Sequence, residues 1–133
     1  MIPVYQTMTV ANDGQGNCFN ACIASILELP LSQVASIHPK SEPYWSAWGE
    51  WLAERGLKFS FFSPAHPPRG YSIVIGKSSR KYPEDHNKAG KLIDHGCVAF
   101  NGEMVHDPFP LPGLFSDISG YISIVPLEQQ VAA

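Results

Sequence analysis

The chain has 133 residues, 44% of them hydrophobic and 16% charged, with a formal net charge of -3. Those proportions suit one folded domain over residues 1–133 and exclude a disordered or strongly basic chain. No Lys/Arg cluster exceeds Lys77-Ser78-Ser79-Arg80-Lys81, which reads as a solvated loop, so nucleic acid is not an expected partner.

There are three cysteines, Cys18, Cys22 and Cys97, and an odd number in so short a chain does not build a disulfide framework. No basic segment followed by an apolar run opens the chain, so no secretory signal is expected. No apolar stretch approaches the ~20 residues that span a bilayer, so no membrane is expected either. A cytoplasmic location, where thiols stay reduced, follows as the expectation.

Residues 2–10 read as extended, with Val4, Tyr5 and Val10 as β-formers. A loop rich in Gly, Asn and Asp covers residues 11–17. Asn17 is an N-cap type of residue, which makes Cys18 the first helical residue. Ala21, Cys22, Ser25, Ile26 and Leu29 recur at helical spacing with little charge, so this helix is central and mostly buried. Pro30 ends it, and a short helical turn is expected over Ser32–Ser36. Trp45, Trp48, Trp51 and Leu52 predict a second helix, with Gly56 at its C-terminal cap. The tryptophan stripe is core packing first, and a substrate lining second.

After Gly56 the period changes to two. Leu57–Phe61 alternates as a half-buried strand does. Pro64, Pro67 and Pro68 mark a loop, and Tyr71–Gly76 is the next strand. Residues 77–91 read as a polar, irregular, exposed insertion. Ile93–Phe100, Glu103–Asp107 and Tyr121–Val125 complete the strands. Helices first and an antiparallel sheet afterwards is the α+β pattern.

Two features carry chemistry. A thiol in the first turn of a helix lies near unpaired N–H groups and the positive end of the helix dipole, and both favour the thiolate nucleophile. Cys18 has that place. His95 and Asp107 then lie on one predicted hairpin, a candidate base and its orienting acid. The hairpin register decides whether they meet. A two-residue turn at Asn101-Gly102 sends Asp107 to the opposite face from His95. A three-residue loop, Phe100-Asn101-Gly102, pairs Ala99 with Glu103 and Cys97 with Val105, and sets His95 opposite Asp107. The chemical reading therefore expects an odd-length loop.

Three patches, Gly16-Asn17-Cys18-Phe19 entering an Ala-rich helix, His95 opening an apolar strand, and Val105-His106-Asp107-Pro108 closing the next, resemble the papain-like cysteine peptidase superfamily. The likeness is to its bacteriocin-leader peptidase-like branch and to small phage and prophage proteins of that type. It implies a papain-like fold, with the N-terminal central helix packed on a C-terminal antiparallel β-sheet. It also implies Cys18 as nucleophile, His95 as general base and Asp107 as the orienting residue, in the host cytoplasm if a phage encodes the chain. That family has a glutamine before the cysteine whose side chain helps form the oxyanion hole. Here Gln6 and Gln15 both precede Cys18; Gln6 is favoured slightly, and Asn12 is a third option. The segment after Gly76 is longer than the resemblance leads one to expect.

Competing assignments are open. Cys22 and Cys97 read as core residues. Cys18, Cys22, Cys97 and a histidine could hold zinc, but no CxxC pair supports this, and no metal or cofactor is expected. His106 could replace His95 as base, although it points away from Asp107 on a strand. Asp107-Pro108 could be a strand-ending turn alone. Asp94 faces away from His95, and His38, His66 and His86 read as solvated. The expected function is a cysteine-dependent hydrolase or acyltransferase with a peptide or protein substrate. The alternatives are an inactive papain-like scaffold that binds proteins as a phage accessory module, and a small structural or regulatory phage protein.

Overall fold

A computed structural model describes residues 1–8, 16–37, 43–110 and 113–128. Its elements are α1 (Cys18–Leu27), a 3-10 turn (Leu31–Gln33), α2 (Tyr44–Ala53), β1 (Leu57–Phe62), β2 (Tyr71–Lys81), β3 (Leu92–Phe100), β4 (Glu103–His106) and β5 (Phe115–Pro126). The five strands form one antiparallel sheet in the order β1-β5-β2-β3-β4, with the two helices packed on it. Among the described residues, no helix is long and apolar enough to cross a membrane.

α1 carries no charged residue, and Phe19 through Ser25 are all buried. Its buried polar groups are bonded, as burial demands. Ser25 Oγ donates to Ala21 O at 2.8 Å and accepts from Val4 N–H at 2.9 Å. Asn20 Nδ2 donates to Ala35 O at 2.8 Å. The helix stops where Glu28 takes φ 57°, with its N–H turned back to Ala24 O and Ser25 O. Pro30 follows.

On α2 the tryptophans divide. Trp48 and Leu52 are fully buried, whereas Trp45 is half exposed. Phe19, Cys22, Ile23, Trp48, Ile73, Val98 and Ile122 form the main core, between the helices and one face of the sheet. Val74, Cys97, Ala99 and Tyr121, with Phe62 and Phe115 against them, form a second cluster. Ile73/Val74 and Val98/Cys97 are sequence neighbours assigned to different clusters, as the alternation of a strand requires.

Four expectations need correction. Residues 1–8 form no strand; they run as a strap bonded by Ile2 N–H to Ser25 O at 3.0 Å and by Gln6 N–H to Pro108 O at 2.9 Å. The helical turn lies at Leu31–Gln33, slightly before Ser32–Ser36. Residues 77–81 are not part of an exposed insertion, because β2 continues through them and Lys81 pairs with Leu92. β5 likewise starts at Phe115, six residues before the expected Tyr121. These extensions are rich in Ser and Lys, so no apolar alternation marks them.

The β3–β4 hairpin is a further correction. Its turn is the two-residue Asn101-Gly102, both with positive φ (52° and 85°), as a type I′ turn requires. Phe100 pairs with Glu103 and Ala99 with Met104, but Val98 then pairs with His106. Val105 is thus a surplus residue, a β-bulge. The bulge restores the parity that the tight turn would lose, and Asp107 comes to the His95 side after all.

Gly76 pairs with His95 across β2 and β3. A Cβ there would lie 2.6 Å from Ser116 O and 2.8 Å from Phe115 Cζ, so the absent side chain makes room for the Phe115 ring. Gly76→Ala will therefore destabilise the fold by about 1–3 kcal/mol through overpacking. Gly49→Ala, in α2 with nothing within 4 Å of its added Cβ, will stabilise it by roughly 0.5–1 kcal/mol through helix propensity. Urea denaturation of the two variants measures both.

Candidate active site

β3 presents His95 and Cys97 on one side of the strand, two residues apart. The loop after β4 brings Asp107 to them. His95 Nε2 donates to Asp107 Oδ1 at 2.6 Å, and the imidazole is buried. Asp107 Oδ1 also accepts from Phe109 N–H at 2.9 Å, which turns the chain just after the strand and fixes the carboxylate. Phe109 and Phe115 stand edge-on to the imidazole, with centroids at 6.5 and 6.1 Å. One ring nitrogen is thus committed to the acid, and Nδ1 is left for other partners.

Cys18 comes to the same ring from the head of α1 and is partly exposed. The helix approaches β3 at Gly96, whose C=O accepts from the Cys22 thiol at 3.4 Å and whose N–H faces the Cys18 sulfur. Asn17 holds the N-cap position, but its side chain does not cap the helix. Its Oδ1 instead accepts from Thr7 N–H (3.0 Å) and Met8 N–H (2.9 Å), and its Nδ2 donates to Thr7 Oγ1 (3.0 Å). The Asn17 side chain therefore does not compete for the first N–H groups of α1, beside the Cys18 sulfur.

Burial alone would raise the Cys18 pKa. The hydrogen bond and charge of His95, the Gly96 N–H and the charge of Arg80 outweigh it, and the thiol titrates below its ordinary value. Burial alone would lower the His95 pKa. Hydrogen bonds to Asp107, Cys18 and Cys97 outweigh that, and the imidazole is raised to about 11. The Asp107 carboxyl is likewise held down, against burial, by His95 and the Phe109 N–H. Cys22 and Cys97 go the other way: burial pushes both thiols up. Of the three cysteines, Cys18 is the one poised as a thiolate.

Gln6, His106 and Asp94 have their own bonding partners. Gln6 is buried beside Pro108; its Nε2 donates to Met8 O at 3.0 Å, and its Oε1 is buried with no partner. Gln15, Asn12 and His38 lie outside the described residues. His106 turns its Nε2 to Val4 O at 2.7 Å and anchors the N-terminal strap. Asp94 bonds Lys77, away from the site.

Two neighbours join the site, and the sequence marks only one of them, Cys97, as a core residue or a zinc ligand. Cys97 is fully buried, as expected of a core residue, yet His95, Cys97 and Asp107 have their ligand atoms within 4.8 Å of one another. The His-x-Cys spacing on a strand was the available signal. Sulfur, nitrogen and oxygen donors so grouped would also suit a soft divalent cation such as zinc. The second neighbour is Arg80, whose Nη2 lies 3.5 Å from His95 Nδ1. No sequence signal separated it from the adjoining basic residues. The chain matches no family model, no curated protein and no solved structure.

The shifts set a pH signature. The raised imidazole contributes stability that is complete below 6.5 and lost as pH rises toward about 11, whereas the lowered thiol contributes stability that is present above 9.0 and lost as pH falls. Between 6.5 and 9.0 the two contributions therefore change in opposite senses. In Cys18→Ala the imidazole's contribution stands alone. Urea denaturation at a series of pH values across that interval will show a steeper loss of stability with rising pH for the variant than for the native chain.

Proposed function

We propose that the protein is a thiol-dependent hydrolase or acyltransferase acting on a peptide, isopeptide or side-chain amide. Cys18 is the nucleophile, His95 the general base and acid, and Asp107 the orienting group. The observation that carries this reading is the 2.6 Å bond from His95 Nε2 to Asp107 Oδ1, made by an imidazole that also lowers the pKa of the thiol at the head of α1. A head-of-helix cysteine facing a histidine and an aspartate from the sheet accords with the papain-like resemblance. A peptide or protein substrate follows from it.

In this mechanism the Cys18 thiolate attacks the carbonyl carbon. The Cys18 N–H, in the first turn of α1, donates to the developing oxyanion, an interaction worth ~2.7–4 kcal/mol per donor in a protease. As the C–N bond breaks, the imidazolium gives its proton to the leaving amine, and a thioester remains. Water or an acceptor amine then attacks the thioester and gives a proton to His95. The Cys18 thiolate leaves, and the ion pair is restored.

Iodoacetamide tests the reading. At about pH 6 an ordinary thiol is nearly all protonated, so Cys18 will be alkylated alone, while buried Cys22 and Cys97 stay unmodified in the folded protein. His95→Ala will slow that labelling by on the order of ten- to a hundredfold, and Asp107→Asn by less. Mass spectrometry of the labelled peptides reads the result. Slow, equal labelling of Cys18 and Cys22 would leave an inactive scaffold as the function.

A further inference from the structure

Arg80 has a setting the triad does not explain. It stands on the extended end of β2, and its guanidinium carbon lies over the Phe109 ring, 3.7 Å from the centroid. Phe109 is the residue whose N–H fixes Asp107, so one short loop orients both the acid and the cation. The guanidinium edge faces His95 Nδ1 at 3.5 Å, the ring nitrogen not used by Asp107. Among the described residues no carboxylate forms an ion pair with Arg80, whereas Lys77, Lys88 and Arg55 each have one. Its side chain is part-buried at this contact, and among the described residues its other N–H donors bond nothing.

The negative charges near Arg80, those of Cys18 and Asp107, are shared with His95 and neither forms a contact ion pair with Arg80, so the guanidinium fork holds no carboxylate of its own. Arginine presents five donors in a rigid fork that fits a carboxylate in bidentate fashion, and stacking on an aromatic ring fixes the plane of that fork in advance. We propose that Arg80 is an anion-binding residue of this site, and that the substrate carries a carboxylate close to the carbonyl that Cys18 attacks. The proposal rests on Cys18 being the nucleophile. Cys18 and Asp107 supply two negative charges and His95 supplies one positive charge, so Arg80 brings the site to neutrality before substrate binds. The substrate carboxylate then replaces solvent at the guanidinium, and it orients the acyl group along the line from Arg80 to the sulfur.

Two alkylating reagents of one size test this without knowledge of the substrate. Iodoacetate carries the carboxylate and iodoacetamide does not. The ratio of their rates at Cys18, divided by the same ratio for a free small thiol, measures anion preference. In the native chain this quotient will exceed one, and Arg80→Gln will lower it about three- to tenfold, the size of a half-exposed ion pair. Arg80→Lys, which keeps the charge without the fork, will lower it less, and added salt will lower it in the native chain and not in Arg80→Gln. Fast reaction with both reagents and a quotient of one in the native chain, or one that Arg80→Gln leaves unchanged, overturns the anion site alone. Slow reaction with both overturns the nucleophile, and the anion site with it. The native quotient and its salt dependence need no variant, so the proposal stays testable if Arg80→Gln folds poorly.

Discussion

An imidazole and a carboxylate share a proton only if the backbone delivers them to the same side of a sheet. In this chain a single surplus residue, Val105, provides that delivery. The Asn101-Gly102 turn is too tight to bring Asp107 to His95 unaided, because a pleated strand reverses its side chains at every step. The bulge adds one step before the strand ends. Much else depends on it: the His95–Asp107 bond, the raised basicity of the ring, and through that ring the acidity of Cys18. A two-residue turn gives strong local registration, and a bulge beside it re-aims the residues further along the strand.

The electrostatics of the site are a contest between burial and pairing, and the outcome differs for each thiol. All three cysteines meet a desolvation cost in their ionised form. Cys18 alone collects enough compensation, from an imidazole, a backbone N–H and a guanidinium, to overcome it. Cys97 touches the same imidazole but also faces the Asp107 charge, and Cys22 faces the charges of other thiols and of Asp107. One ring therefore discriminates between sulfurs by what else surrounds them. The four charges at Cys18, His95, Asp107 and Arg80 sum to zero, which limits the cost of burying them together.

The legible parts of the sequence were those in which local chemistry and tertiary demand agree. The uncharged run of α1 predicted its burial, the tryptophan spacing predicted α2, and the alternation in Leu57–Phe61 marked a strand. Residue order alone placed Cys18 at a helix head, His95 on a strand and Asp107 at the far end of the same hairpin. What was not legible depends on partners remote in the chain. A bulge has no signature in Met104-Val105-His106. The strand character of residues 77–81 comes from pairing with β3 and β5, not from the propensities of Lys and Ser. Arg80 looked like surface charge because its ring partner, Phe109, lies 29 residues further on. Asn17 occupied its expected position but used its side chain on the strap instead of the helix.

The strap has a temporal consequence. Residues 4–8 are fastened at one end to α1 through Ser25 and Asn17, and at the other to the exit of β4 through His106 and Pro108. The sulfur leaves the ribosome long before the imidazole and the acid that sharpen it, and the lacing between them closes only when both ends of the chain are present. Until the imidazole arrives Cys18 is an ordinary thiol, mostly protonated and slow. The acidity of Cys18 thus arrives with β2 and β3, which bring Arg80, His95 and Gly96, well after α1 has emerged.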